Sequence, residues 1–152
     1  MPATATNLYM DWSHCSVTPQ GGSAIALTGV TDASIDGRSV IETFYADAKK
    51  YPLCARGTQS QRAVKISCGN IKQVLMQVPE ATPCTIVLTL NDAINGAGVG
   101  SLTITAVNAM LETKGAQGAK NKFAMAALSF VCFGAESGGT EVDPITIVQA
   151  AS

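Results

Sequence analysis

Along most of the chain, apolar and polar residues alternate in short runs with the period of two that marks a half-buried strand. Residues 84–90 set Ile86, Leu88 and Leu90 against Thr85, Val87 and Thr89. Residues 59–68 set Val64, Ile66 and Cys68 against Ala63, Lys65 and Ser67. Residues 100–112 begin with Leu102 and Ile104 opposite Thr103 and Thr105, then shift phase to Val107, Ala109 and Leu111. Shorter patterns predict strands over 8–12, 23–27, 29–35, 39–45, 122–134 and 145–148. Ile25 and Leu27 fall on one face, while Val30 and Ile35 need a bulge between them to share a core. Phe123 and Met125 precede Leu128, Phe130 and Cys132 out of phase, which predicts a bend at Ala126-Ala127.

One segment has a different period. Ile71, Val74, Leu75 and Val78 recur at i, i+3, i+4 and i+7, the stripe of an amphipathic helix. Asn70 is its expected N-cap and Pro79 its stop, with Lys72, Gln73 and Gln77 facing away. A helix this short needs a sheet to pack on. Turn residues punctuate the rest. They occupy 17–22, the Asp36-Gly37 pair, 80–83, 95–98, the polar stretch 113–121 and 137–141. Between the strands at 29–35 and 59–68 the chain makes an excursion over 39–60, and one of that length is usually functional.

These patterns add up to seven or eight strands and one helix. The fold class is mainly β: two packed antiparallel sheets, as a sandwich or barrel, with one short flanking helix and a long projecting hairpin or loop. One domain over 1–152 accounts for the length, with 1–7 as an N-terminal arm and 39–60 as the projection.

Composition sharpens this picture. Charged residues make up 14% of the chain. Soluble proteins average about 25%. A surface so poor in charge is either one that other subunits cover or that of a secreted β protein, a class that can also be charge-poor. The formal net charge of −1 offers no basic excess for gripping phosphates. No segment approaches the ~20 apolar residues of a membrane span. Residues 1–7 lack the basic and apolar regions of a signal peptide, which predicts a chain that stays in the cytoplasm where it is made. Cys15, Cys54, Cys68, Cys84 and Cys132 are odd in number, widely spaced and without a CxxC. They read as reduced thiols acting as small hydrophobes rather than a disulfide or zinc framework.

Candidate chemistry is sparse. The single histidine, His14, lies in Asp11-Trp-Ser-His-Cys15, but neighbouring strand residues point to opposite faces, so His14 and Cys15 diverge. No second cluster completes a metal shell. Asp32, Asp36, Glu42, Asp47, Asp92, Glu112, Glu136, Glu141 and Asp143 read as solvated charges at strand ends and in loops. No phosphate-binding, dinucleotide or nucleophile-elbow pattern is present. The reading is therefore no enzyme, no cofactor and no metal. Two features favour assembly instead. The excursion carries Phe44, Tyr45, Tyr51, Pro52 and Leu53, aromatics and apolar residues suited either to a partner or to folding back on their own core. Thr85, Thr89, Thr103 and Thr105 form an uncharged polar face, either an ordinary solvated sheet face or the lining of an aqueous lumen.

The order of these elements resembles the tail tube proteins of tailed bacteriophages, which stack as rings into a conduit for DNA. The resemblance spans residues 23–150. Residues 29–39 (Gly-Val-Thr-Asp-Ala-Ser-Ile-Asp-Gly-Arg-Ser) resemble the strand before that family's long hairpin, and 42–52 the excursion ending in an aromatic and proline. Residues 64–79 resemble its strand–helix–proline unit, and 85–93 the strand and turn after it. Val107-Asn-Ala-Met-Leu-Glu112, the polar loop to Lys122, the apolar strand and the short tail complete the order.

The resemblance implies two sheets with a flanking helix, each subunit giving strands to a hexameric inner barrel, and a hairpin that touches the next ring. Carried onto this chain, it implies inter-subunit contact through Ser39, Phe44, Tyr45, Lys49, Lys50, Tyr51, Pro52 and Leu53. Thr85, Thr89, Thr103 and Thr105 are then the lumen candidates. The implied partners are further copies in stacked rings, other tail proteins (terminator, baseplate, sheath or tape measure) and DNA that passes without specific binding. There is no membrane partner, and the implied location is the virion tail after synthesis in the host cytoplasm. One departure is visible: lumens in that family are often acidic, and the Thr series is neutral. Rival readings are a tail terminator or baseplate component, a capsid-decoration or receptor-binding β-sandwich, and a small hydrolytic or metal-dependent enzyme built around His14.

Overall fold

The computed structural model describes residues 10–44, 50–51, 54–92 and 101–149, with side chains described for 14–37, 50–51, 61–91 and 101–149. In chain order the elements are β1 (Met10–Pro19), β2 (Ile25–Leu27), β3 (Val30–Phe44), β4 (Cys54–Cys68), α1 (Ile71–Gln77), β5 (Cys84–Asp92), β6 (Leu102–Gln117), β7 (Met125–Cys132), β8 (Ala135–Ser137), β9 (Thr140–Val142) and β10 (Ile145–Gln149). The strands pair antiparallel in the order β2-β1-β5-β6-β7-β4-β3, with β10 also on β6 and β8 paired with β9.

Strand β6 makes two packed sheets out of this path. Its first part, Leu102 to Ala106, lies between β5 and β10. Its second part, Ala109 to Gln117, pairs with β7. β10 and β7 thus succeed each other along one edge of β6. Between the two parts Asn108 takes a positive φ of 54°, a conformation that asparagine tolerates better than most residues. Its side chain donates to the Gly134 carbonyl at 3.0 Å, and its carbonyl accepts from Phe133 N at 3.1 Å. The first sheet is β2-β1-β5-β6-β10 and the second is β6-β7-β4-β3. Cys15, Val17, Ile86 and Leu88 from the first and Val64, Ile66, Leu128 and Phe130 from the second share one buried core.

The expected alternation holds in β5 and in β4 up to Cys68: Ile86, Leu88, Val64, Ile66 and Cys68 are buried. The bulge needed before Ile35 falls between Val30 and Asp32, and both Val30 and Ile35 then pack on the core. Cys15, Cys68, Cys84 and Cys132 are buried free thiols. Burial, then the nearby Cys68, pushes the Cys15 thiol up to about 12, and burial also raises Cys84 and Cys132. These are inert packing groups.

Several expectations are corrected. Asp36-Gly37 is not a turn: it lies inside β3, opposite Ala63 and Arg62. The missing Cβ of Gly37 leaves the space that the Arg62 guanidinium occupies, and any larger residue would make that guanidinium shift. The turn expected from Val17 begins only after Pro19, which still pairs with Cys84. β6 continues to Gln117, through residues read as a loop, because β7 supplies a backbone partner as far as Met125. β7 has no bend at Ala126-Ala127, since its register with β4 is continuous there; the irregularity lies on β6, between Leu111 and Thr113. Phe123 falls outside β7. Residues 137–141 are not a plain loop: they span the tight β8–β9 hairpin, whose Gly138 and Gly139 both have positive φ.

The helix is where expected, with Asn70 Oδ1 accepting from Gln73 N at 3.1 Å as its N-cap. Val74 and Val78 are buried and Ile71 packs at the margin, but Leu75 is 43% exposed. Gln73, expected to face away, turns to β2. Its Nε2 donates to the Ala26 carbonyl at 2.6 Å and its Oε1 accepts from Thr28 N at 3.1 Å. A side-chain amide here serves the β2 backbone as a neighbouring strand would, and that need fixes the helix rotation. Lys114 on β6 closes the other helix end, donating to Leu75 O at 3.3 Å and Val78 O at 3.1 Å.

Candidate assembly surfaces

The residues read as a projecting excursion form a paired ribbon. β3 and β4 stay in register from Ser39 opposite Ser60 to Phe44 opposite Cys54, with one irregularity between Val40 and Ile41. β7 accompanies β4 only from Arg62 to Cys68. The ribbon therefore continues past the end of the second sheet, paired only with itself among the described residues. β-branched Val40, Ile41 and Thr43 suit it to extended backbone. Of the eight contact candidates, Ser39 and Phe44 lie in the ribbon backbone, and Lys50 and Tyr51 lie beyond its paired part. Tyr51 is 74% exposed, with Lys50 Nζ 5.9 Å from its ring centre. Tyr45, Lys49, Pro52 and Leu53 lie outside the described residues.

At the ribbon's base an ion pair ties it to the C-terminal strand. Arg62 Nη2 stands 2.7 Å from Asp143 Oδ2, and Asp143 Oδ1 accepts from Ile145 N at 3.0 Å. The Ile145 N–H, then the Arg62 hydrogen bond, hold the Asp143 carboxyl below the usual carboxylate range. One carboxylate thus fixes both the start of β10 and the position of Arg62.

Each sheet turns one face to the core and one outward. Thr85, Thr89, Thr103 and Thr105 all lie on the outward face of the first sheet, because registered partners share a side. Thr89 stands opposite Thr103 and opposite His14, Thr85 opposite Thr18, and Thr105 opposite Thr146. Ser16 and Val87 complete the patch. Among described side chains this face is uncharged. The outward face of the second sheet differs. A shallow depression there is lined by Asp32, Ser34, Lys65, Glu112 and Ser129. Asp36 joins its margin, 3.8 Å from Lys65 Nζ. Three carboxylates and one ammonium thus share this face, with Asp36 within ion-pair distance of Lys65. In sequence, Asp32, Asp36 and Glu112 read as solvated charges at strand ends and in loops. The signal was available: Asp32, Ser34 and Asp36 alternate at period two, but only if residues 36–37 are read as strand.

The edges of the second sheet are open among the described residues. β3 has β4 on one side only, and β6 beyond Ala109 has β7 on one side only. Unpaired strand edges are templates for another chain. Exposed apolar residues besides Tyr51 and Leu75 are Met76 on the helix, Phe123, Phe133, Val142 on β9, and Ile147 and Val148 on β10. Among the described residues no group of three or more His, Cys, Asp or Glu side chains converges as metal ligands would. No described helix is long and apolar enough to cross a membrane.

No protein-family model matches the chain, and no curated protein matches it. Solved structures do. The tube terminating cap of the anti-feeding prophage is 15% identical with a TM-score of 0.51, covering 99% of this chain and 100% of the cap. The tail of an empty GTA particle, refined with C6 symmetry, is 12% identical with a TM-score of 0.48, covering 80% of this chain and 91% of that one. Hcp1 from Flavobacterium johnsoniae is 16% identical with a TM-score of 0.44, covering 86% and 99%. The cap comparison, spanning essentially both chains, bears on the fold. The chain has the tail-tube-like fold that its element order resembles: antiparallel sheets with one short helix. None of the three similar structures is named as an enzyme.

Proposed function

We propose that this chain is a structural subunit of a phage-type tail, assembling with its own copies into stacked rings, six to a ring, that form a conduit for DNA. The observation that carries the reading is the self-paired ribbon at 39–60, standing beyond one end of a body whose fold is that of a tube terminating cap. Beyond the Arg62–Cys132 pair the ribbon's backbone has no strand partner but itself among the described residues. Its reach suits it to a neighbouring ring. Open edges on β3 and β6 supply the lateral contact, because a copy on either side would pair them. Other tail proteins then meet the ends of the stack.

Two faces compete for the lumen. The hydroxyl face of Thr85, Thr89, Thr103 and Thr105 is neutral, and DNA would pass it without attraction. The face with Asp32, Asp36 and Glu112 repels phosphates, and it belongs to the sheet with the open edges and the ribbon. Charge and edge geometry favour the second face. A second reading, a terminating ring that ends a tube, is favoured by the similarity to a cap.

The test is removal of the ribbon tip. Deleting residues 45–53 and joining Phe44 to Cys54 through a two-residue Asn-Gly turn is expected to leave a cooperatively folding domain that forms no tubes. Tubes of normal length from that variant would contradict the role given to the ribbon. A chain that forms single rings with or without the tip, and never stacks, favours the terminating ring.

A further inference from the structure

Two connections at opposite ends of the second sheet carry opposite charge. At one end the β6–β7 connection, residues 118–124, holds Lys120 and Lys122 and no acidic residue. It is a built turn: Lys122 N donates to Ala119 O at 3.1 Å, and Asn121 takes a positive φ of 64°. Beside the two lysines Phe123 is 99% exposed. A phenylalanine left wholly in water next to a tight turn buries nothing in its own subunit. At the other end β7 runs out at Cys132 into the β8–β9 hairpin. There Glu136 stands directly opposite Glu141, both exposed, with no lysine or arginine in the hairpin. Like charges directly across a ladder destabilise it. The eight residues of β7 separate the two ends by about 25 Å at roughly 3.3 Å per residue. The ribbon at 39–60 leaves from the same end as the acidic hairpin, since Arg62 pairs with Cys132 and Cys68 with Ala126.

From this we infer that the Lys120-Asn121-Lys122-Phe123 turn of one subunit docks against the Glu136/Glu141 hairpin of a copy in the adjacent ring. The occupant of each surface is a second copy of this chain, in a head-to-tail contact. Charge complementarity selects it. The lysines relieve the Glu136–Glu141 repulsion, and Phe123 is covered by the hairpin, whose Val142 is exposed. Two like ends repel, so the contact also sets polarity: stacks grow in one direction only. The inference rests on the ring-stacking reading and deepens it.

Charge reversal tests it with the full-length chain. K120E/K122E is expected to keep its thermal midpoint and its rings but to raise the concentration needed for stacking by about tenfold or more. E136K/E141K is expected to do the same. The quadruple variant K120E/K122E/E136K/E141K, with the charges exchanged, is expected to stack again at close to the original concentration. Stacking of K120E/K122E at the unaltered concentration, or a quadruple variant no better than either double, overturns the contact while leaving ring formation intact. An unaltered chain that forms no rings overturns the contact and the ring reading together.

Discussion

Asp143 shows how much one side chain holds. It accepts from Ile145 N and from Arg62, linking the first residue of β10 to the base of the ribbon. Both partners favour the charged form, so its folded pKa lies below its unfolded one. The sign follows from that. The contribution is fully present above the unfolded carboxylate value of about 3.9 and is lost as the pH falls through the lower folded value. Asp143→Asn should therefore flatten the acid limb of a stability profile below about pH 4 and leave the slope between pH 6 and 8 unchanged. Urea midpoints across that range measure it, and an Asp143→Asn profile parallel to the wild type down to about pH 2 contradicts it. Gly37 belongs to the same cluster. Its missing Cβ leaves room for the Arg62 guanidinium that reaches Asp143. The Asp-Gly dipeptide by itself reads as a turn, and nothing local distinguishes that from a strand glycine crowded by a residue 25 positions later.

At the scale of elements, the helix yields the sharper prediction. Gln73 makes two hydrogen bonds to the β2 backbone, and Leu75 is largely exposed. Gln73→Ala should cost about 1–2 kcal/mol, because it removes two hydrogen bonds whose backbone partners are then left to water. Leu75→Ala should cost less than about 1 kcal/mol. Chemical denaturation of both variants checks the order, and a larger loss at Leu75 contradicts the helix orientation. The period of apolar residues located this helix and its N-cap, but it set Leu75 on the buried stripe. Periodicity records side-chain polarity and is blind to backbone groups on another element that need a partner. The same blindness hid the end of β6. Residues 113–117 lack apolar alternation, yet β7 gives them a backbone ladder and the helix carbonyls draw Lys114 inward. Strands buried on one face, β5 and the sheet-paired part of β4 above all, were legible because alternation and burial there are the same fact.

For the whole molecule, charge and connectivity carry the account. A chain with 14% charged residues gathers some of them in three places: carboxylates on one outward sheet face, lysines in one connection and glutamates in another. The carboxylate face joins residues distant in sequence and becomes visible only when strand register brings them together, while the lysine turn and the glutamate hairpin are local. The Thr series was legible as a face because its members sit at alternate positions of two adjacent strands. The ribbon was legible as an excursion, from its length and aromatics, but its pairing was not.

The central claim is assembly of identical copies into stacked rings. Electron microscopy of the purified, concentrated chain tests it most directly. The account predicts rings with a central channel that stack into tubes, with the carboxylate face inward in an averaged reconstruction. A population that stays monomeric at every concentration, with no rings in any field, would contradict it.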